Sequence, residues 1–279
     1  MQIKACYELV FYYTVFALLL PLLLLQAIWL RFTIIKLPEA TGERTGNSGN
    51  SEAVNVLILG DSAAAGVGVS QQEEALAGQL PPLLANPFPI NWQLVASSGL
   101  TSTDIINELK SLPAQKFDLV LVSVGVNDVT HCTRQTQWTK NITKLATLLC
   151  TKFSADKVLF SSVPPMHLFT ALPQPLRWCL GLRATKLNSL MAVALANISH
   201  SSNNQASISN CANNKCSVLT VELPFSRKYL AKDGMHPSKL AYSVWAKQAA
   251  EQFNIYPLTS KCRSQHLEVE RVYKLRGGV

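Results

Sequence analysis

The sequence predicts an α/β protein, three layers deep, with a five-stranded parallel sheet between two layers of helices. Two observations carry that reading. Short apolar runs alternate along the chain with longer amphipathic stretches, which is the signature of repeated βαβ units with right-handed crossovers. Two of the runs, Val54-Asn55-Val56-Leu57-Ile58-Leu59 and Phe117 to Val124, are nearly continuous in apolar residues, as strands covered on both faces must be.

The elements follow in order. The chain opens on a stretch from Leu9 to Leu30, 22 residues without a charge. A spanning helix needs about 20 apolar residues, so this predicts a membrane span over 9–30 within an anchor over 1–36. A cleavable leader has a shorter apolar core followed by small residues at the cleavage site, and Ala27-Ile28-Trp29-Leu30-Arg31 is too bulky for one. Tyr12, Tyr13 and Trp29 stand where interfacial aromatics belong. Lys4 is the one basic residue before the span, whereas Arg31, Lys36 and Arg44 follow it. That bias keeps the following domain in the cytoplasm, while an N-terminal anchor with a short leader also permits outward delivery.

Residues 37–52 shift to Gly, Ser, Asn, Thr and Glu and read as a flexible linker. The domain proper is expected over 53–256. Its first strand is Val54–Leu59, ending at Gly60, and a helical pattern follows at 71–85. Trp92–Ala96 is the second strand, leading into a helix at 103–111. Phe117–Val124 is the third, before a helix at 135–153. Lys157–Val163 is the fourth, stopped by Pro164-Pro165, and a long helix spans 176–199. A Ser- and Asn-rich loop over 201–215 precedes the fifth strand, Ser217–Val221, and the last helix lies at 238–253. Residues 257–279 form a tail with one possible short strand at 267–273. Cys211 and Cys216 are close enough to close a small disulfide loop in an oxidising compartment, or to be free thiols.

Composition narrows the function classes. The net charge is +8, but Lys and Arg are scattered rather than gathered with aromatics, so no nucleic-acid partner is expected. No paired cysteines or clustered histidines have zinc-site spacing, so no metal or cofactor is expected.

Ligands of open parallel sheets sit outside the carboxyl ends of the strands. Gly60-Asp61-Ser62 follows the first strand, Ser97-Ser98-Gly99 the second, and Gly125-Val126-Asn127-Asp128 the third. In a flavodoxin-like strand order, 2-1-3-4-5, these three turns face one crevice. Ser62 as nucleophile needs a base, an acid to orient that base and donors for an oxyanion. Asp233 and His236 lie three residues apart just before the last helix, where Gly234 lets the chain turn back. Asn127 suits the oxyanion because its amide donates without bringing a charge, and the N–H groups of Ser62 and Gly99 complete the set. His131 and His167 read as loop histidines, and His200 and His266 are given no role.

These words resemble the GDSL or SGNH hydrolases. Gly60 to Gly68, Gly99, Gly125 to Asp128 and Asp233 to His236 are similar to that family's successive blocks, over residues 54 to about 253. The resemblance implies the SGNH hydrolase fold, with Ser62, Asp233 and His236 as the triad and Ser62, Gly99 and Asn127 around the oxyanion. It also implies action on esters: lysophospholipids, short acyl esters, thioesters or O-acetylated sugars. The expectation is a membrane-tethered serine ester hydrolase working on a small-molecule or lipid ester. Transfer of the acyl group to an alcohol through the same triad, and a non-catalytic binding module, are the alternatives.

Overall fold

The computed structural model describes residues 2–50, 52–85, 88–200, 215–224 and 226–253, with side chains from Leu18 onward and, in the long sixth helix, through Ile198. Thirteen elements follow one another in these residues. They are α1 (Gln2–Thr33), β1 (Thr45–Gly46), β2 (Val54–Gly60), α2 (Leu76–Leu84), β3 (Ile90–Ala96), α3 (Ser102–Ser111), β4 (Leu119–Ser123), α4 (Val126–Thr130), α5 (Gln135–Thr151), β5 (Lys157–Ser161), α6 (Leu176–His200), β6 (Cys216–Leu219) and α7 (Lys239–Phe253).

The sheet order is β1-β3-β2-β4-β5-β6. All pairs are parallel except the two-residue β1, which runs antiparallel to β3. Without β1 this is the 2-1-3-4-5 order expected from the sequence. Alternate residues of the central strands feed two cores. Leu57, Leu59, Val120, Val122, Val158 and Phe160 pack with α3, α5 and α6. Val56, Ile58, Leu119, Leu121 and Leu159 pack with α2 and α7 on the other face. Burial on both sides explains why these strands read as unbroken apolar runs.

Three expectations change. The segment over 37–52 is not a free tether: the Leu94 N–H donates to the Arg44 carbonyl at 2.7 Å, and Thr45 and Gly46 pair with Gln93 and Trp92. Its Gly- and Ser-rich composition concealed an edge strand whose partners are backbone groups, which composition does not register. The turn after β4 closes into a short helix, α4, too brief for any periodicity to appear. Cys216 is a free, buried thiol whose sulfur lies 3.8 Å from that of Cys150, so the small loop disulfide is not formed. Burial pushes this thiol up to about 12. Cys211, most of the 201–215 loop, the 267–273 strand and the 257–279 tail lie outside the described residues.

The helix α1 is continuous and ends with Arg31 in its last turn. Among the residues described with side chains, which in α1 begin at Leu18, no helix is long and apolar enough to cross a membrane.

Candidate active site

β2 delivers Ser62. Its last residue, Gly60, lies so close to β4 that a side-chain carbon there would come 2.3 Å from the Ser123 carbonyl oxygen, so only glycine fits. The chain then turns tightly, the Ala65 N–H donating to the Asp61 carbonyl and the Val67 N–H to the Ser62 carbonyl. The Asp61 side chain is buried inside this turn and accepts the Ala63 N–H at 3.1 Å. Burial pushes its carboxyl up to about 7, against the opposing pull of that hydrogen bond and of His236.

His236 and Asp233 come from the loop ahead of α7. Gly234 holds φ +70°, and a side chain there would strike the Thr170 hydroxyl at 2.6 Å. That conformation folds Asp233 back, so its Oδ1 accepts the N–H groups of both Met235 and His236 at 3.1 Å. Its Oδ2 accepts the Nδ1–H of His236. Burial works against the charge on Asp233, yet these hydrogen bonds hold its carboxyl below the usual range. An ionised carboxylate can only accept, so the imidazole proton sits on Nδ1 and Nε2 is left as an acceptor. Nε2 lies 2.9 Å from the Ser62 Oγ. Two residues 174 positions apart in sequence are thus within proton-sharing distance.

Asn127 heads α4 directly after β4, the neighbour of β2. One of its amide protons goes to the Leu100 carbonyl at 3.0 Å, which fixes the side chain beside the Gly99 turn and leaves the second proton for a ligand. Gly99 is exposed at φ +87°, with open space beside its Cα. The structure therefore joins Ser62, His236 and Asp233 by direct hydrogen bonds and connects Asn127 to the Gly99–Leu100 turn. His131 and His167 are exposed.

Ser62 and His236 open onto a cavity of about 400 Å³ over the carboxyl ends of β4, β5 and β6. Its walls are mainly apolar: Val124 and Pro164 at the strand ends, Leu168 on a 3₁₀ turn, Leu223 and Leu230 from the loops, and Trp245 on α7. Among the described residues no group of three or more His, Cys, Asp or Glu side chains is placed to hold a metal ion.

Several supporting residues escaped the sequence reading. The Asp128 carboxylate, fully buried, accepts the N–H of Ser102 at 2.8 Å and its hydroxyl at 2.7 Å, and Asn141 donates to the same hydroxyl. That network ties α3, α4 and α5 together next to Asn127. Tyr242 lies buried against the nucleophile turn, and Trp245 Nε1 donates to Ser161 Oγ at 3.0 Å. In the segment before β1, Glu39 accepts the Ser98 N–H at 2.6 Å and Arg44 donates to the Ala96 carbonyl, so both brace the turn that carries Gly99. The weak signal was Asp128 itself, a charge predicted to fall at a strand end with no assigned partner.

Known proteins place the fold. The chain is similar to a lipolytic protein of the G-D-S-L family from Veillonella parvula (TM-score 0.54, 16% identity, 72% of this chain and 98% of that one). It is also similar to a family 3 carbohydrate esterase from Clostridium thermocellum (TM-score 0.52, 16% identity, 72% and 94%). A psychrotrophic esterase from Pseudoalteromonas sp. aligns at TM-score 0.51 and 18% identity, over 72% and 97%. No curated protein matches the chain by sequence. Residues 58–244, which contain Ser62, Gly99, Asn127, Asp233 and His236, match the GDSL-like Lipase/Acylhydrolase family, and the chain belongs to that family of ester-hydrolysing enzymes.

Proposed function

We propose that the protein is a membrane-tethered serine esterase that cleaves esters of apolar acyl groups through an acyl-Ser62 intermediate. The observation that carries this is the Ser62–His236–Asp233 hydrogen-bond chain opening onto an apolar cavity. His236 Nε2 takes the Ser62 proton as the oxygen attacks the ester carbonyl. Asp233, already ionised and buried, stabilises the imidazolium that forms. The N–H groups of Ser62 and Gly99 and the free amide proton of Asn127 receive the oxyanion. The imidazolium then protonates the leaving alkoxide. Water enters, gives its proton to Nε2 and releases the acid, returning Ser62 to its hydroxyl form.

The apolar walls favour an acyl chain in the cavity, because each methylene moved out of water contributes about 0.8 kcal/mol. The membrane tether is supported by the 22 uncharged residues from Leu9 to Leu30 and by the unbroken helix that carries them. At 1.5 Å per residue that stretch is about 33 Å long, enough for a hydrocarbon core of about 30 Å.

Two measurements test the reading. The purified protein should react with a fluorophosphonate probe and hydrolyse p-nitrophenyl esters, with activity rising as the acyl chain lengthens. Ser62→Ala should do neither while melting as the wild type does. A folded wild type that leaves the probe and every ester untouched overturns it.

A further inference from the structure

The described part of α1 meets the domain along one face only. Leu23 is buried and Leu30 packs against the main core, while Leu18, Leu25 and Phe32 stand exposed, Phe32 at 82%. Between Leu23 and Leu30, Gln26 places its side-chain amide across the start of α6. Its Nε2 donates to the Gln174 carbonyl at 2.6 Å, and its Oε1 accepts the Leu176 N–H at 3.1 Å. An amide left unpaired in hydrocarbon is costly, and this one is paired at both ends.

The clamp sets a depth. Gln26 precedes Arg31, the first charge after the apolar run, by five residues, or about 7.5 Å along the helix axis. The start of α6 therefore sits level with the apolar run, below the charged rim. There Trp178 and Leu182, one turn apart, are exposed at 48% and 45%. Arg177 and Arg183 flank them in sequence but turn inward: each buries its Nε, and Arg183 donates to the Thr133 carbonyl. An exposed tryptophan one turn from an exposed leucine suits the headgroup layer of a phospholipid surface.

We propose that this patch is a seat on the phospholipid bilayer that holds α1. Trp178 and Leu182 enter the headgroup layer, and Gln26 locks the domain at that depth. The proposal rests on the membrane tether proposed above and deepens it. Its consequence for catalysis is positional. Gly181 of α6 packs so tightly on His167 that a side-chain carbon there would lie 2.7 Å from the His167 Cβ. The adjoining Leu168 is a wall of the catalytic cavity. The acyl pocket is thus one packing contact from the patch on α6.

The test uses the full chain, with exposed Cys132 and half-buried Cys179, and also Cys6, Cys211 and Cys262, changed to Ser, reconstituted into vesicles of phosphatidylcholine and phosphatidylglycerol. A bimane label is placed at Trp178→Cys, at Leu182→Cys and, as control, at Lys247→Cys on the exposed side of α7. Headgroup-nitroxide lipids should quench the first two severalfold more than the control, with iodide showing the reverse order. Gln26→Leu should keep the protein on the vesicles while reducing lipid quenching at 178. Protein that floats with vesicles but shows label 178 as open to iodide as label 247 overturns the seat and leaves the tether standing. Protein that does not float with vesicles overturns the tether and the seat together.

Discussion

The Tyr242 hydroxyl lies 2.9 Å from the carbonyl oxygen of Ala63, and 2.8 Å from that of Val67, so one buried side chain of α7 spans both limbs of the nucleophile turn. Its single proton is shared between two carbonyls, and burial, followed by Asp61 and Asp233, pushes the phenol well above its ordinary range. It stays a donor at every working pH. Tyr242→Phe keeps the ring and takes the hydroxyl from both carbonyls, leaving that of Ala63 with the Gly66 N–H alone, at 3.4 Å. The expected cost is about 1–3 kcal/mol of stability, read from urea melts, with kcat falling because Ser62 loses its brace.

Asn127→Ala should separate the oxyanion contribution from binding. A fall of about 10²–10³-fold in kcat with little change in KM is expected, since the amide acts on charge that exists only in the transition state. Steady-state kinetics on one p-nitrophenyl ester checks it. An effect confined to KM would move Asn127 out of that role.

Asp61 makes stability depend on pH in a definite direction. Its folded value, about 7, is above its ordinary value of 3.8, so the native state holds the proton more tightly. Stability contributed by the protonated carboxyl is complete below about pH 4 and is lost as pH rises through 7. Asp233 acts in the opposite sense: with its folded value lowered, its contribution is present above the ordinary range and lost in acid. Asp61→Asn should flatten the decline between pH 4 and 7 in thermal melts, and leave the acid limb unchanged.

Chain-length preference should be set from α7. Ala241 faces the cavity and is buried, so Ala241→Leu fills space that an acyl chain would occupy. Displacing two methylenes corresponds to about 1.6 kcal/mol, or about 15-fold in kcat/KM for long esters. Short esters should be nearly unaffected. Comparing p-nitrophenyl acetate with a longer homologue measures the ratio.

The sequence made legible whatever is written as a local pattern. The continuous strands β2 and β4 appear as apolar runs, and the helices at 102–111 and 239–253 as amphipathic periods, within a residue or so of their observed limits. Ser62, Asp233 and His236 were legible because each stands at a strand or helix boundary beside a glycine. What stayed hidden depends on partners far away in sequence. Tyr242 looks like any core aromatic until Ala63 is seen opposite it, 179 residues away. Asp128 pairs with Ser102 across 26 residues, and Glu39 with Ser98 across 59. Thr45 and Gly46 form a strand through backbone groups alone, which no side-chain pattern announces.

That two-residue strand also determines where the chain can be shortened. β1 shields the outer rim of β3, whose N–H and C=O groups would otherwise offer a template for pairing with another molecule. Trimming the chain back to residue 53 removes the shield, and with it the carboxylate and guanidinium that hold the Ser97–Gly99 corner. Such a truncated enzyme should self-associate into sheet-rich aggregates and turn over slowly even where it stays dispersed, whereas one beginning at Leu37 should do neither.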